Sequence, residues 1–145
     1  MSYGGNKLEN KIVIAVKGIV LYNDKSLIIK RDDNDEVGAG TWEFAGGKIE
    51  FGEELEYALI REVKEEVGID IVVEKLLYAA TFKSDPTRQV VILTYKCKAM
   101  DDKVKLSEEH SEYAWASREK LRELLFPAII NDMDRYNVFP LIFEN

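Results

Sequence analysis

Three glutamates are the chemically most telling residues of this chain. Glu62, Glu65 and Glu66 stand at i, i+3 and i+4, so on a helix their side chains share one face. Like charges at that spacing destabilise a helix by roughly a few tenths of a kcal/mol per pair. Glu65 and Glu66 also fall in the last turn before Gly68, a residue suited to ending a helix in the left-handed conformation. A helix C-terminus carries partial negative charge and favours Lys or Arg. Two local rules are thus broken at one spot, which is where functional sites are expected. A hard divalent cation resolves both, because it takes carboxylate oxygens and keeps water and phosphate as its other ligands. The best candidate is therefore a divalent cation holding a polyphosphate.

The helix that presents these acids reads from about Glu53 to Val67. Leu55, Leu59, Val63 and Val67 recur every four residues as a core-facing stripe, with Ala58 and Ile60 beside it. Glu62 and Glu66 flank that stripe, so partial desolvation strengthens their hold on a cation. Upstream, Lys11–Tyr22 and Ser26–Lys30 read as strands joined by the turn Asn23-Asp24-Lys25. Residues 32–40 form a polar loop, and Trp42–Phe44 a short strand entering a glycine turn. Downstream, Ile71–Phe82 and Gln89–Ala99 read as strands, residues 101–111 as a charged loop and Tyr113–Ala116 as a strand. Ser117 is placed to cap a helix over Arg118–Leu125, and Pro127 to start a C-terminal helix, where its missing N–H does no harm.

The segment from Gly47 to Ile69 resembles a known family. It runs Gly47, five residues, Glu53, seven residues, Arg61-Glu62-Val63, one residue, Glu65-Glu66, one residue, Gly68-Ile69. That is the Nudix box, matched at every defined position. The lead-in Trp42-Glu43-Phe44-Ala45-Gly46-Gly47-Lys48-Ile49-Glu50 is similar to that of the MutT-like branch, with Ala45 where Pro is usual. Pro would stiffen this turn by fixing φ. The similarity extends from about Lys11 to Asn131. It implies an α/β/α sandwich with a mixed β-sheet and a catalytic loop–helix–loop. It also implies that Glu62, Glu65 and Glu66, with Gly47, bind Mg²⁺ or alternatively Mn²⁺. One of these acids or Glu109 serves as base, and Glu53 and Arg61 hold the acidic face in place.

Glu109 stands at the family's matching distance before Trp115, with Glu108 and Glu112 as alternatives. His110, the only histidine, reads as a loop residue rather than a catalyst. Gly46, Gly47 and Lys48 are expected to meet substrate. Arg31 is a candidate contact for a base edge or phosphate, and Trp42 and Tyr113 are candidates for stacking on a base. In MutT-like enzymes a Phe-Pro segment precedes an Asn that reads the base. Here Phe126-Pro127 precedes Asn131, one residue later than the pattern.

These features imply hydrolysis of a nucleoside triphosphate, oxidised purine nucleotides included, to a monophosphate and pyrophosphate. The alternative is ADP-ribose or another nucleoside diphosphate linked to a group X, for which Pro86, 17 residues after Ile69, is a pointer. A tyrosine associated with diadenosine polyphosphates is absent from its position. A more remote alternative is a non-catalytic nucleotide-binding module, against which the intact set of acids argues.

Composition bounds the partners. The chain has 145 residues, 46% of them hydrophobic, enough for one domain over residues 11–145. Its formal net charge of −7 argues against a duplex nucleic acid partner, whose phosphates it would repel. A small nucleotide screened by metal is the expected ligand, with the protein a monomer or homodimer. Cys97 is the single cysteine, read as a small buried hydrophobe in a reducing cytoplasm. No apolar run reaches membrane-span length, and residues 1–10 carry no signal-peptide apolar stretch and are expected to be flexible.

Overall fold

A computed structural model describes residues 9–35 and 38–144. The expected flexibility of residues 1–10 falls largely on residues 1–8, outside that range; Glu9 and Asn10 are exposed and lie in no regular element.

Strands β1 (Lys11–Tyr22) and β2 (Lys25–Arg31) form a hairpin. Its turn holds Asn23 at φ 49° and Asp24 at φ 60°, the paired left-handed conformation of a two-residue hairpin loop, which Asn and Asp tolerate well. The two arms pair with each other only at Leu21–Ser26 and Tyr22–Lys25 and then splay. The segment Trp42–Lys48 fills the gap. Its first part, β3 (Trp42–Glu43), pairs with β2, and its second, β4 (Ala45–Lys48), pairs with β1. Where the sequence suggested a free glycine turn, the backbone of Ala15–Gly18 supplies hydrogen-bond partners and draws Ala45–Lys48 into the sheet. Gly46 suits this place because its φ is +149° and a Cβ there would run into the Val16 carbonyl.

Strands β5 (Ile71–Asp85) and β6 (Arg88–Ala99) make a second, longer hairpin, and β6 runs parallel to β1 from the Lys11–Arg88 pair to the Leu21–Lys98 pair. Strand β7 (His110–Ala116) adds to the free edge of β2, starting three residues earlier than its sequence suggests. The seven strands form one mixed sheet in the order β3-β2-β1-β6-β5, with β4 on β1 and β7 on β2.

Helix α1 (Leu55–Val67) covers one face, packing Ala58, Leu59, Val63 and Val67 on Val16, Val20, Leu27 and Ile29. Each fully buried aliphatic side chain of this kind contributes about 1.5–3 kcal/mol. The helix starts two residues after Glu53, and Gly68 ends it at φ 72°, ψ 14°, as expected of a left-handed cap. Ile60 departs from the expected stripe: it lies one residue past Leu59, turned out of the core, and is 40% exposed. Helices α2 (Arg118–Leu124) and α3 (Pro127–Arg135), with a short helix α4 (Phe139–Ile142) that the sequence did not suggest, cover the other face. There Leu121, Met133, Phe139 and Ile142 pack on Ile19, Ile28 and Tyr78. Ser117 caps α2 by accepting from the Lys120 N–H at 3.2 Å. The architecture is thus the expected α/β/α sandwich around a mixed sheet. Among the described residues no helix is long and apolar enough to cross a membrane. Cys97 is buried, and that burial pushes its thiol up to about 12.

Candidate active site

The acids of α1 divide into two groups. On the outer side, Arg61 gathers two of them together with Glu53 from the loop ahead of the helix. Its Nε and Nη2 donate to the two Glu53 oxygens at 2.7 and 2.8 Å, and its Nη1 donates to Glu62 at 3.0 Å and Glu65 at 3.2 Å. Nη2 also reaches the Lys48 carbonyl at 3.3 Å. The hydrogen bond to Glu53 is the main reason the guanidinium is raised above its ordinary value, and the same contact lowers the Glu53 carboxyl. Glu53 in turn accepts from the Glu50 N–H at 2.7 Å, which fixes the loop ahead of the helix. Part of the like-charge crowding on α1 is therefore answered within the chain. Glu62 lies against Gly47, where any Cβ would overlap its carboxylate, so the glycine lets the helix sit directly on β4. Glu65 is the most solvated of the three box acids, with its side chain 60% exposed.

On the inner side, Glu66 turns toward the sheet and is 9% exposed. Its Oε1 accepts from the Gly46 N–H at 2.9 Å. Burial pushes this carboxyl above its ordinary value and Glu43 adds to the push, against the pull of Lys17, the Gly46 N–H and His110. No arginine clamps it among the described residues. Behind it lies a network drawn from both arms of the splayed hairpin. Glu43 accepts from Arg31 Nη1 at 3.1 Å, stands 2.8 Å from His110 Nε2, and has Lys17 Nζ at 3.6 Å. Burial would raise the Glu43 carboxyl, but Lys17, His110 and Arg31 together outweigh it and hold it at about 2. Lys17 also donates to the Phe44 carbonyl at 3.2 Å, at the break between β3 and β4.

Glu66, Glu109 and His110 each offer a ligand atom, and these atoms all lie within 4.8 Å of one another. Of the three candidate acids Glu108, Glu109 and Glu112, Glu109 is the one brought here; Glu112, on β7, pairs with Lys30 at 3.2 Å and Glu108 is exposed. The Glu109 carbonyl accepts from the Asp32 N–H at 3.0 Å, which ties this loop to the end of β2. The donor set suits a divalent cation: a buried carboxylate, an exposed one and an imidazole whose Nδ1 has no hydrogen-bond partner among the described residues.

A cleft of about 390 Å³ is lined by Gly40, Thr41, Trp42, Phe126, Pro127, Ile130 and Asn131 among others. Strand β3 joins the two features, since Trp42 lines the cleft and Glu43 backs the acid cluster. Asn131 stands in the first turns of α3, whose start is fixed by the Phe126 N–H donating to the Trp42 carbonyl at 3.2 Å. Arg31 lies apart from the cleft lining; its guanidinium is engaged by Glu43 and, at 2.7 Å, by Asp35. Gly46 and Gly47 are strand residues under α1, and Lys48 is exposed at the end of β4. Tyr113, on β7, is 45% exposed. Pro86 sits in the tight β5–β6 turn, where Asp85 accepts from the Thr87 N–H at 2.8 Å, so turn chemistry accounts for it.

Sequence reasoning gave Lys17 and Glu43 no role of their own and set His110 aside as a loop residue. A signal existed for the first: a lysine inside the apolar run Val13–Val20 must find a partner when its strand is buried on both faces. Glu43 and His110 are 67 residues apart, and only the pairing of β2 with both β3 and β7 brings them together.

Comparison with known proteins agrees with this geometry. The sequence pattern of the NUDIX domain matches residues 13–136. A MutT-like protein of Streptomyces ambofaciens is 34% identical over 111 residues, covering 76% of this chain and 67% of that one. The nucleoside triphosphatase NudI of Escherichia coli strain SE11 is 29% identical over 113 residues, covering 70% and 80%. Among solved structures, the MutT protein of Methanosarcina mazei Go1 superposes with a TM-score of 0.79 at 30% identity, covering 90% of this chain and 96% of that one.

Proposed function

This chain belongs to the NUDIX family, and we propose that it is a cation-dependent hydrolase that cleaves nucleoside triphosphates to a monophosphate and pyrophosphate. The reading rests on one arrangement above all. The acid cluster of Glu66 and Glu109 is backed by Glu43, and the neighbouring residue of β3, Trp42, lines the cleft that also holds Phe126 and Asn131. A relative that bears the name nucleoside triphosphatase adds support.

Glu66 and Glu109, with Glu62, Glu65 and the Gly47 backbone beside them, would hold Mg²⁺ or Mn²⁺. A cation bound there acidifies water and neutralises phosphate charge. The protein's own part is positional. Gly46 fixes the Glu66 carboxylate, Arg61 keeps Glu62 and Glu65 aligned over β4, and Glu109 or a box acid accepts the proton of the attacking water. Water adds to phosphorus as the bridging P–O bond breaks, and pyrophosphate leaves with the bonding pair. Asn131 carries both a donor and an acceptor, so it can pair with a purine edge while Trp42 and Phe126 flank the ring. Residues 11–145 act as one domain, working on a small nucleotide in the cytoplasm.

The test is a panel of canonical and oxidised nucleoside triphosphates, ADP-ribose and dinucleoside polyphosphates, with kcat/KM and product identity measured for each. Triphosphates should rank first and yield monophosphate and pyrophosphate in equal amounts. Asn131→Ala should raise KM for the preferred purine nucleotide and erode base discrimination by about 1–3 kcal/mol. ADP-ribose as best substrate, with triphosphates untouched, would overturn this reading and leave the acid cluster to an ADP-ribose hydrolase.

A further inference from the structure

We propose that His110, through Nδ1, is a nitrogen ligand of the cation held by Glu66 and Glu109, and that it shifts the site's preference from Mg²⁺ toward first-row transition ions. The inference rests on the cation dependence proposed above and adds a donor to it.

The geometry is particular to this site. The His110 side chain is 1% exposed, so neither ring nitrogen has water to satisfy it. Nε2 is committed: at 2.8 Å from Glu43 Oε2 it donates, because a carboxylate can only accept. A neutral ring protonated on Nε2 carries a bare lone pair on Nδ1. Nδ1 has no hydrogen-bond partner among the described residues, although leaving a buried acceptor unmade is costly. One of the two ring nitrogens lies within 4.8 Å of carboxylate oxygens of both Glu66 and Glu109, and with Nε2 held by Glu43 it is Nδ1 that is left to ligate. A histidine that donates one N–H to a carboxylate and turns the other nitrogen to a cation is the usual way a metal-binding imidazole is oriented. Glu43 has the right support for that duty, since Lys17 and Arg31 keep it ionised and in place.

A nitrogen donor changes which ion fits. Mg²⁺ prefers an all-oxygen octahedron and gives up water reluctantly. Imidazole suits later first-row ions, whose affinity for mixed nitrogen and oxygen sites rises along the series from Mn²⁺. His110 being the only histidine makes the assignment clean, because any imidazole signal on a bound ion reports this residue.

Untagged protein titrated with Mn²⁺, Co²⁺ or Mg²⁺ alone, without nucleotide, tests the inference. Pulsed electron paramagnetic resonance of the Mn²⁺ form should show nitrogen modulation typical of imidazole. Equilibrium binding should place Co²⁺ above Mn²⁺ and Mn²⁺ at least tenfold above Mg²⁺. In the metal-free protein, a long-range nitrogen–proton correlation spectrum should show the tautomer protonated on Nε2. His110→Gln puts its amide near the Nε2 position and keeps a partner for Glu43. His110→Asn puts an oxygen near the Nδ1 position instead. Both should lose the imidazole modulation, and the Gln variant should weaken Mn²⁺ at least tenfold while changing Mg²⁺ less than threefold. Mn²⁺ bound to the wild type without imidazole modulation overturns the ligand assignment and leaves the carboxylate site standing. Failure of every cation to bind overturns it together with the proposed cation dependence.

Discussion

Glu65 and Glu66 are neighbours in sequence and opposites in circumstance. Glu65 points to water and is tied, with Glu53 and Glu62, to one arginine; Glu66 is buried against a backbone N–H with no such clamp. The outer group is a truss. Its three carboxylates share one guanidinium, which holds α1, the loop before it and β4 in register. Glu66 accepts from a backbone N–H, yet burial still raises its carboxyl above its ordinary value, so a cation joining it would be favoured. An acidic run is therefore a poor marker of a cation site by itself; what marks the site is the acid that the fold buries away from Arg61.

That contrast can be broken by experiment, beginning with the largest effect. Chelator should abolish turnover, and added Mg²⁺ or Mn²⁺ should restore it. The same ions should raise the melting temperature, by a stabilisation of about 2.7 kcal/mol at a hundred times Kd. Full turnover in excess chelator would mean that the inner acids need no cation. Glu66→Gln comes next. It should lower kcat by roughly 10²–10³-fold, equivalent to about 3–4 kcal/mol of transition-state stabilisation. Its melting temperature should hold or rise, because a buried charge is removed while the contact with Gly46 can be kept. Near-normal kcat in this variant would place the inner acids with the truss.

The two glycines separate support from chemistry. Gly46→Ala forces a side chain onto φ +149° and into the Val16 carbonyl, so it should destabilise the fold by at least about 1–3 kcal/mol, measured by chemical denaturation. Gly47→Ala meets only the Glu62 carboxylate, a side chain that can swing away, so its kcat should fall further than its stability. Equal stability losses in the two variants would contradict that difference. The smallest effect belongs to Arg61→Gln. It should free Glu53, Glu62 and Glu65 without touching Glu66, reducing kcat by about tenfold, or some 1.4 kcal/mol of barrier. A loss as deep as that of Glu66→Gln would show that the alignment of Glu62 and Glu65 matters to turnover as much as Glu66 itself.

Much of this was legible before any coordinates. The Asn23-Asp24 turn, the Ser117 cap, Pro127 at a helix start and Gly68 at a helix end are local devices, and local chemistry decides them. The layers were implied by the resemblance to the family, and the core-facing side of α1 followed from the period of Leu55, Leu59, Val63 and Val67. What escaped depended on partners distant in the chain. Ala45–Lys48 has poor intrinsic strand propensity and becomes a strand because β1 needs a neighbour where its hairpin splays. His110 looks like a loop histidine until β7 carries it under Glu43. The sharing of Arg61 among three acids was likewise invisible, since spacing alone shows which side chains share a face and not which partner each one takes.

The parallel seam between β1 and β6 also has a consequence in time. Lys11 pairs with Arg88 and Leu21 with Lys98, so the central strand lacks its longest partner until the chain has been made as far as Ala99. At ordinary synthesis rates of about 5–20 residues per second, β1 waits several seconds with an apolar edge open. Non-local pairing of this sort also slows folding once the chain is complete. A nascent chain halted before β6 would display Val13–Val20 as an adhesive ribbon, and residues 88–99 are in this sense the protein's own late-arriving chaperone.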